Sequence, residues 1–484
     1  MNTKSKKIRR IPIMLGLLMM LAVVLASCVN VDNIEEIIDQ SLDALENESV
    51  IVEESKEEIS TPDGYTEAPV VKSVVNITPD TIAVAGTCEE GSVISIKGAV
   101  EDVSTTAIGN YFIIEAQLPY QNNLLEITAT VEGKEESLAN SFVASYNATA
   151  DTRLDGNSVS IGVGSRLYFD KMVEDSSGKN LYTESELNSI LDYVNNTVND
   201  YYMNRAGAHD AELIFMLVPN VTTIYPEVYP EGVVEPTNTT LYDQILKTLN
   251  KTRATVVDMR EIYMNLRDDA TVNETYGGLY RVTDSSLTDY GAYLAYNELM
   301  NVVAKRFPDA APRALEEFEW KTVSTVGGNL PFYRELDNTV VSEDIVISVP
   351  KFSLALGTDG NGTTSLKSLR KYNDMVNGDY SYFTDTDNAD GKNGIAERWL
   401  IDTKRSEELD LPNALIIRDY ASLSFTDILA ERFEKCLVSK NGELGINLSL
   451  SGQYAAEGKT AVDYIIVIVS EENLENAFTS AFAN

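Results

Sequence analysis

The run Leu213-Ile214-Phe215-Met216-Leu217-Val218-Pro219 has no polar residue to turn toward water. A strand with one wet face alternates apolar and polar side chains, whereas an uninterrupted apolar run must be covered on both faces, as in a parallel sheet flanked by helices. The surroundings agree. Spacing predicts a helix over Glu184–Met203 before this run and another over Thr240–Leu249 after it. The second leads into Ala254-Thr255-Val256-Val257-Asp258, and a third helix is expected over Asp289–Arg306. Further on, Ala414-Leu415-Ile416-Ile417-Arg418-Asp419 and Tyr464-Ile465-Ile466-Val467-Ile468-Val469 read as buried strands. Residues 151–484 are therefore expected to form a three-layer α/β domain with a mainly parallel sheet. Ligands of such sheets lie beyond the C-terminal strand ends. That rule directs attention to Pro219–Glu231, the chain after Asp258, Asp419–Thr426 and Ser470–Leu474.

These loops carry motifs. Leu279-Tyr280-Arg281-Val282-Thr283-Asp284-Ser285-Ser286-Leu287-Thr288-Asp289-Tyr290-Gly291-Ala292-Tyr293 resembles the signature of the DHHW and alginate O-acetyltransferase-like proteins, where the usual pattern is Y-x-x-T-D-x-H-W-[TN]-x-x-G-A. Other matches follow the family order. Val218-Pro219 with Ile224-Tyr225-Pro226 resembles the strand and loop after the first helix, and Gly328-Asn329-Leu330 stands where G-D-L is common. Leu415-Ile416-Ile417-Arg418-Asp419-Tyr420 resembles the strand that ends in R-D-S, with Leu429-Ala430-Glu431-Arg432-Phe433 as the helix behind it. Val469-Ser470-Glu471-Glu472-Asn473-Leu474 is similar to the closing V-x-E-x-x-L.

The resemblance implies an SGNH-hydrolase-type fold and a Ser-His-Asp triad. In it, serine attacks an acetyl carbonyl, histidine takes the proton and aspartate orients the imidazole. Carried over residue by residue, Asp284 keeps the aspartate, but Ser286 stands at the histidine position, Leu287 at the tryptophan and Tyr420 at the nucleophilic serine. An alkyl hydroxyl cannot accept and return a proton near neutral pH as imidazole does. Two of the three working groups are thus expected to be lost.

Replacements are scarce. The only histidine, His209, precedes the Leu213 strand, which maps it to the N-terminal edge of the sheet as a loop residue. Ser422 and Ser424 follow Asp419 closely but read as caps of a helix beginning near Phe425. Tyr420, with an ordinary pKa near 10, is a poor nucleophile without a strong base. Asp419, Ser422, Tyr225 and Tyr280 are the binding candidates, with Tyr229 and Tyr276 as further aromatic rings near the expected cleft. Asp385-Thr386-Asp387-Asn388-Ala389-Asp390-Gly391 departs from calcium-loop spacing by one residue and reads as a polar turn. No metal site and no cofactor are expected.

Upstream the pattern changes. Residues 68–147 hold short alternating runs rich in Val, Ile and Thr, separated by turns such as Pro79-Asp80, Gly109-Asn110 and Gln121-Asn122-Asn123, which indicates a β-sandwich. Val84-Ala85-Gly86-Thr87-Cys88-Glu89-Glu90-Gly91-Ser92-Val93, then Gly109-Asn110-Tyr111, then Asn123-Leu124-Leu125-Glu126-Ile127-Thr128-Ala129 resemble bacterial Ig-like modules of surface proteins. Cys88 reads as a free, buried thiol.

At the start, Lys4, Lys6, Lys7, Arg9 and Arg10 precede the apolar run Ile11–Ala26 and then Leu25-Ala26-Ser27-Cys28. A basic stretch, a short apolar core and small residues before a cut describe a secretory signal, and the ending resembles the lipobox of bacterial lipoproteins. This implies a signal peptide over 1–27, acylation of Cys28 and an extracytoplasmic location at the cell membrane. Cleavage would remove five basic residues and no acid, moving the net charge from −37 to −42. Residues 28–67 read as a stalk, because 32–63 hold twelve Asp or Glu and only Lys56 as a base.

Charge excludes a nucleic-acid partner, since phosphate neutralisation needs clustered Lys and Arg. Three scattered cysteines exclude a disulfide framework and a thiolate zinc site. The whole reads as a membrane-anchored lipoprotein whose degenerate acetyltransferase-like domain binds envelope polysaccharide or assists its modification. Two other readings fit the sequence: an active acetyltransferase or esterase with a non-standard nucleophile, and an adhesin or scaffold acting through the Ig-like module.

Overall fold

The computed structural model describes residues 61–148, 159–196, 211–326, 328, 330, 342–352, 356–359, 362–365, 398–402, 409–419, 425–440 and 462–482. Cys28 with its signal and most of the stalk, His209, Asp385–Gly391, Tyr420, Ser422 and Ser424 lie outside these residues. Seven strands come first: β1 (Val70–Thr78), β2 (Thr81–Thr87), β3 (Val93–Lys97), β4 (Val103–Thr106), β5 (Tyr111–Gln117), β6 (Asn122–Thr130) and β7 (Asn140–Ser145). They form two antiparallel sheets, β1-β2-β5 and β4-β3-β6-β7. Alternation explains the packing: Leu125, Ile127 and Ala129 of β6 point inward, while Leu124 is 67% exposed. Ile82, Val84, Phe112 and Ile114 from one sheet meet Ile94, Ile96, Leu125 and Ile127 from the other in one core. A short hairpin, β8 (Val159–Ile161) and β9 (Leu167–Phe169), then packs Val159 and Leu167 against Ala85, Tyr111 and Ile113.

The α/β part contains β10 (Glu212–Val218), β11 (Thr255–Asp258), β12 (Phe318–Val326), β13 (Ser342–Pro350), β14 (Leu356–Asp359), β15 (Gly362–Ser365), β16 (Arg398–Asp402), β17 (Asn413–Arg418), β18 (Lys435–Lys440) and β19 (Tyr464–Ser470). Its main sheet has the order β11-β10-β19-β17-β18-β16-β14-β15. The first five strands are mutually parallel, as the apolar runs predict for β10, β11, β17 and β19. The last three pair antiparallel, and β12 with β13 makes a separate antiparallel ribbon. These five strands and β18 were not anticipated, because they carry mixed polar sequence without a continuous apolar run.

Helices are α1 (Asp170–Ser177), α2 (Glu184–Asp192), α3 (Val221–Ile224), α4 (Leu241–Leu249), α5 (Arg260–Leu266), α6 (Ala270–Tyr276), α7 (Asp289–Val303), α8 (Thr426–Ala430) and α9 (Leu474–Ala477). Capping sets several starts. Thr183 and Glu186 form a reciprocal box at α2, Thr240 and Asp243 do so at α4, and the Thr288 hydroxyl accepts from the Gly291 amide at α7. The predicted helix over Glu184–Met203 is α-helical only to Asp192 within the described residues, and the one over Asp289–Arg306 stops at Val303.

Odd and even residues of β10 serve different cores. Leu213, Phe215 and Leu217 pack with Ile190 of α2 and Tyr242, Ile245 and Leu249 of α4. Ile214, Met216 and Val218 pack with Ala292, Ala295, Tyr296 and Leu299 of α7 and Ile428 of α8. Both faces are dry, which gives the three layers. Among the described residues no helix is long and apolar enough to cross a membrane.

The docking of α7 depends on one glycine. A Cβ on Gly291 would sit 2.2 Å from the Leu279 carbonyl oxygen, and the Tyr263 hydroxyl donates to the Gly291 carbonyl at 2.8 Å. On helix propensity alone, Gly291→Ala should stabilise by about 1 kcal/mol. Because backbone blocks the methyl, we expect the opposite sign, a loss of about 1–3 kcal/mol as for other overpacked sites, measured as a lower urea midpoint with an unchanged slope.

Candidate functional site

Parallel pairing brings the ends of β10, β11, β17 and β19 to one edge of the sheet, with Val218 beside Ser470 and Arg418 beside Ile468. The chain that follows each strand is held there by carboxylates. Asp419, one residue beyond β17, accepts from the Ser470 amide and hydroxyl, both at 2.6 Å, and from Asn473 Nδ2 at 3.1 Å. Glu471, after β19, uses Oε2 to accept from the Asn220 amide at 2.8 Å and the Thr223 hydroxyl at 2.7 Å. Asn220 Nδ2 in turn donates to Asp175 at 3.1 Å. The loops after β10, β17 and β19 are thereby joined to one another and to α1.

The segment around Asp284 folds back on itself through a bridge between Tyr280 and Leu287 and a bond from the Arg281 amide to the Ser286 carbonyl at 3.1 Å. Asp284 and Ser286 are both buried. Asp284 Oδ1 accepts from the Ser286 amide at 2.9 Å, while Oδ2 lies 3.8 Å from Arg281 Nη1. Arg281 also pairs with Glu343 of β13 at 3.2 Å, and Glu343 accepts from the Val282 amide and the Thr283 hydroxyl. Gly328 closes the far side: its amide donates to Thr283 Oγ1 at 2.9 Å, and a Cβ there would lie 2.4 Å from Asp284. The Ser286 hydroxyl is buried and has no hydrogen-bond partner among the described residues.

Glu472 electrostatically links the two halves of this edge. Burial, then the carboxylates of Asp419, Asp284 and Asp175, push its carboxyl up to about 8. Glu471 is raised to about 7, chiefly by burial, although its two hydrogen bonds oppose the shift. Asp175 is also raised by burial, despite Lys171, Asn180 and Asn220. The edge thus offers carboxyls that can hold a proton near neutral pH. Among the described residues no group of three or more His, Cys, Asp or Glu side chains is arranged to hold a metal ion.

The aromatic candidates require correction. Tyr280 is 4% exposed, donates its hydroxyl to the Pro219 carbonyl at 2.6 Å, and stands edge-on to Tyr225 and Tyr263. No face of it is open to a sugar ring; it is a wedge that holds the loop after β10. Tyr225 is contacted by two guanidiniums, Arg166 at 5.2 Å and Arg267 at 5.1 Å from its centroid, so the cations take up the surface proposed for stacking. Tyr229 is buried with its hydroxyl 3.1 Å from that of Ser176, and Tyr276 stacks on Tyr290 at 4.3 Å. Cys88 is free but only half-buried, its thiol raised to about 11 by burial, and Cys436 is free and buried.

Of the sequence candidates, Asp284, Ser286 and Asp419 lie at the strand-end site, whereas Tyr420 and Ser422 fall outside the described residues. Sequence reasoning missed Asp175, Asn220, Arg281, Glu343, Glu471 and Glu472 as site-building groups. The strand-end rule flagged the segments holding Asn220 and Glu471–Glu472, but no spacing shows which carboxylates become buried.

Glu471 makes this testable. Its folded value near 7 lies above the ordinary 4.5, so the folded chain binds the proton more tightly. The stabilisation is complete below about pH 4.5, declines as pH rises toward 7 and is gone above it. Both accepted bonds fall on Oε2, leaving Oε1 for the proton, and a Gln amide can mimic that state. We expect Glu471→Gln to remove the part of the stability loss between pH 4.5 and 7 that Glu471 causes, read as a smaller fall in urea midpoint than wild type across that window.

Residues 200–344 match the family profile described as SGNH hydrolase-like domain, acetyltransferase AlgX. No functionally curated protein matches the sequence. Among solved structures, the chain is similar to Bacillus cereus PatB1 (15% identity, 64% of this chain and 92% of that one, TM-score 0.44). It is also similar to a DHHW family protein from Eubacterium siraeum (13%, 72% and 91%, TM-score 0.41) and to Pseudomonas aeruginosa AlgX (9%, 68% and 68%, TM-score 0.37). The matched segment contains the folded-back Asp284 loop and the opening strands of the parallel sheet, and over these residues the chain resembles the SGNH hydrolase-like domain of the acetyltransferase AlgX.

Proposed function

We propose that this protein is an extracytoplasmic, membrane-anchored lipoprotein whose acetyltransferase-like domain has lost its Ser and His catalytic positions and serves as a glycan-binding or accessory component in cell-envelope polysaccharide modification. The observation that carries this reading is the state of Asp284. Its carboxylate is engaged by the Ser286 backbone amide and faces Arg281, and the Ser286 hydroxyl has no partner among the described residues. A triad aspartate works by accepting from an imidazole N–H. The single histidine of the chain precedes β10 in sequence. In this proposal a lipid on Cys28 holds the protein at the membrane, the acidic segment spaces it outward, and the two upstream sheets are an Ig-like module.

An active enzyme with a non-standard nucleophile is the second reading, and Glu472 favours it. A carboxyl titrating near 8 beside Asp284 and Asp419 could exchange protons at neutral pH. The two are separated by acetyl-ester turnover with the full chain in detergent. Under the degenerate reading wild type releases acetate no faster than buffer, Glu472→Gln changes nothing, and Asp284→Ala weakens binding of envelope polysaccharide. Turnover by the unmodified chain that falls at least tenfold in Glu472→Gln would overturn it.

A further inference from the structure

Beside the loop that follows β10 lies a cleft of about 490 Å³, separate from the carboxylate edge and lined by Arg166, Tyr225, Arg267, Tyr280 and Val282 among others. Its two arginines are not equivalent. Arg267 is satisfied: it pairs with Glu227 at 2.6 Å and with Asp268 at 3.2 Å and donates to the Ile224 carbonyl. The Arg166 guanidinium lies against the Tyr225 ring but makes no hydrogen bond or ion pair to any described residue. Glu227 and Glu343 act on it only through space. An arginine carries five donors in a fixed fork, and those of this partly buried one are taken by no described residue.

Arg166 is also placed with care. The preceding Ser165 has φ of 59°, the only non-glycine positive φ among the described residues, and it is fully buried. Its hydroxyl donates to the Thr106 carbonyl at 3.0 Å, which anchors the turn on β4. On the other side, the Gly162 amide donates to the Arg166 carbonyl at 2.7 Å, and a Cβ on Gly162 would meet the Val228 carbonyl at 2.2 Å. The turn is therefore clamped between the upstream sheets and the loop after β10. Local strain maintained by surrounding contacts is a recurrent feature of ligand clamps.

We infer that this cleft binds a small monocarboxylate, with the Arg166 guanidinium as the group that takes the carboxylate. The planar fork matches the two oxygens of a carboxylate. Glu227 and Asp268, largely exposed beside Arg267, repel doubly charged anions, which selects against phosphate. Val282, with the exposed Val163, gives the wall apolar surface for the body of the ligand.

The test is calorimetric titration of the full chain in detergent with benzoate and with D-glucuronate, using benzamide and inorganic phosphate as controls. At least one carboxylate should bind at a single saturable site, more tightly than both controls, which also tells whether an aromatic or a sugar body is preferred. Arg166→Gln should weaken that binding at least tenfold, and Arg166→Lys, which keeps the charge without the fork, should weaken it less. Glu227→Gln, an exposed change whose folding is not at issue, should tighten it severalfold. Failure of both carboxylates to saturate, equal binding of benzamide, tighter binding of phosphate, or an affinity unmoved by Arg166→Gln or Glu227→Gln would each overturn the proposal.

Discussion

Strand β19 is buried along its whole length between β10 and β17, in parallel register with both. Its Ile465, Ile466, Val467, Ile468 and Val469 are all nearly inaccessible, alternating between two separate cores. Burying side chains of this kind is worth roughly 1.5–3 kcal/mol each, and a one-residue slip would exchange the sets facing each helix layer. The register of this strand therefore determines where the neighbouring strands end. It also determines which backbone groups are left at the edge for side chains to satisfy.

The edge chemistry is a direct consequence. Once Val218, Arg418 and Ser470 are aligned, the chain leaving each strand must turn in a confined space with its amides unpaired by sheet bonds. Asp419 and Glu471 satisfy the Ser470 and Asn220 amides, and so carboxylates are drawn into a poorly solvated place. The same burial that makes them structural raises Glu471 and Glu472 toward neutral pH. Asp284 enters from a different direction, on a folded-back loop fixed by Glu343 from the β12–β13 ribbon. That ribbon is also tied to the start of α7, where Asp289 accepts from the Ser348 amide at 2.7 Å. Loop, ribbon and helix thus form one support behind the site.

Four of the five parallel strands were legible because they need no polar residue, whereas β18 with Lys435, Ser439 and Lys440 was not; α4 was legible because Thr240 and Asp243 signal its start. The antiparallel strands β14, β15 and β16 were not legible: their residues pair at one end of the sheet, where local pattern is weak and context decides. Among site residues, Asp284 and Ser286 could be placed through their motif, and Asp419 through its position after an apolar run. Tyr280 misled, since a loop tyrosine looks available to ligand until its hydroxyl is seen to reach Pro219. Arg166 had no signal at all, because its role depends on a cleft assembled from segments some sixty to over a hundred residues apart in sequence.

By itself the sequence determined the α/β class and pointed to the loops after the parallel strands as the place for a candidate site. These are matters of local pattern and residue identity, which a one-dimensional reading can hold. Only the tertiary structure decided which carboxylates share a poorly solvated edge, which tyrosines have no open face, and which arginine faces the cleft beside the loop after β10. Each of those depends on what the fold brings near, and proximity sets desolvation and pairing.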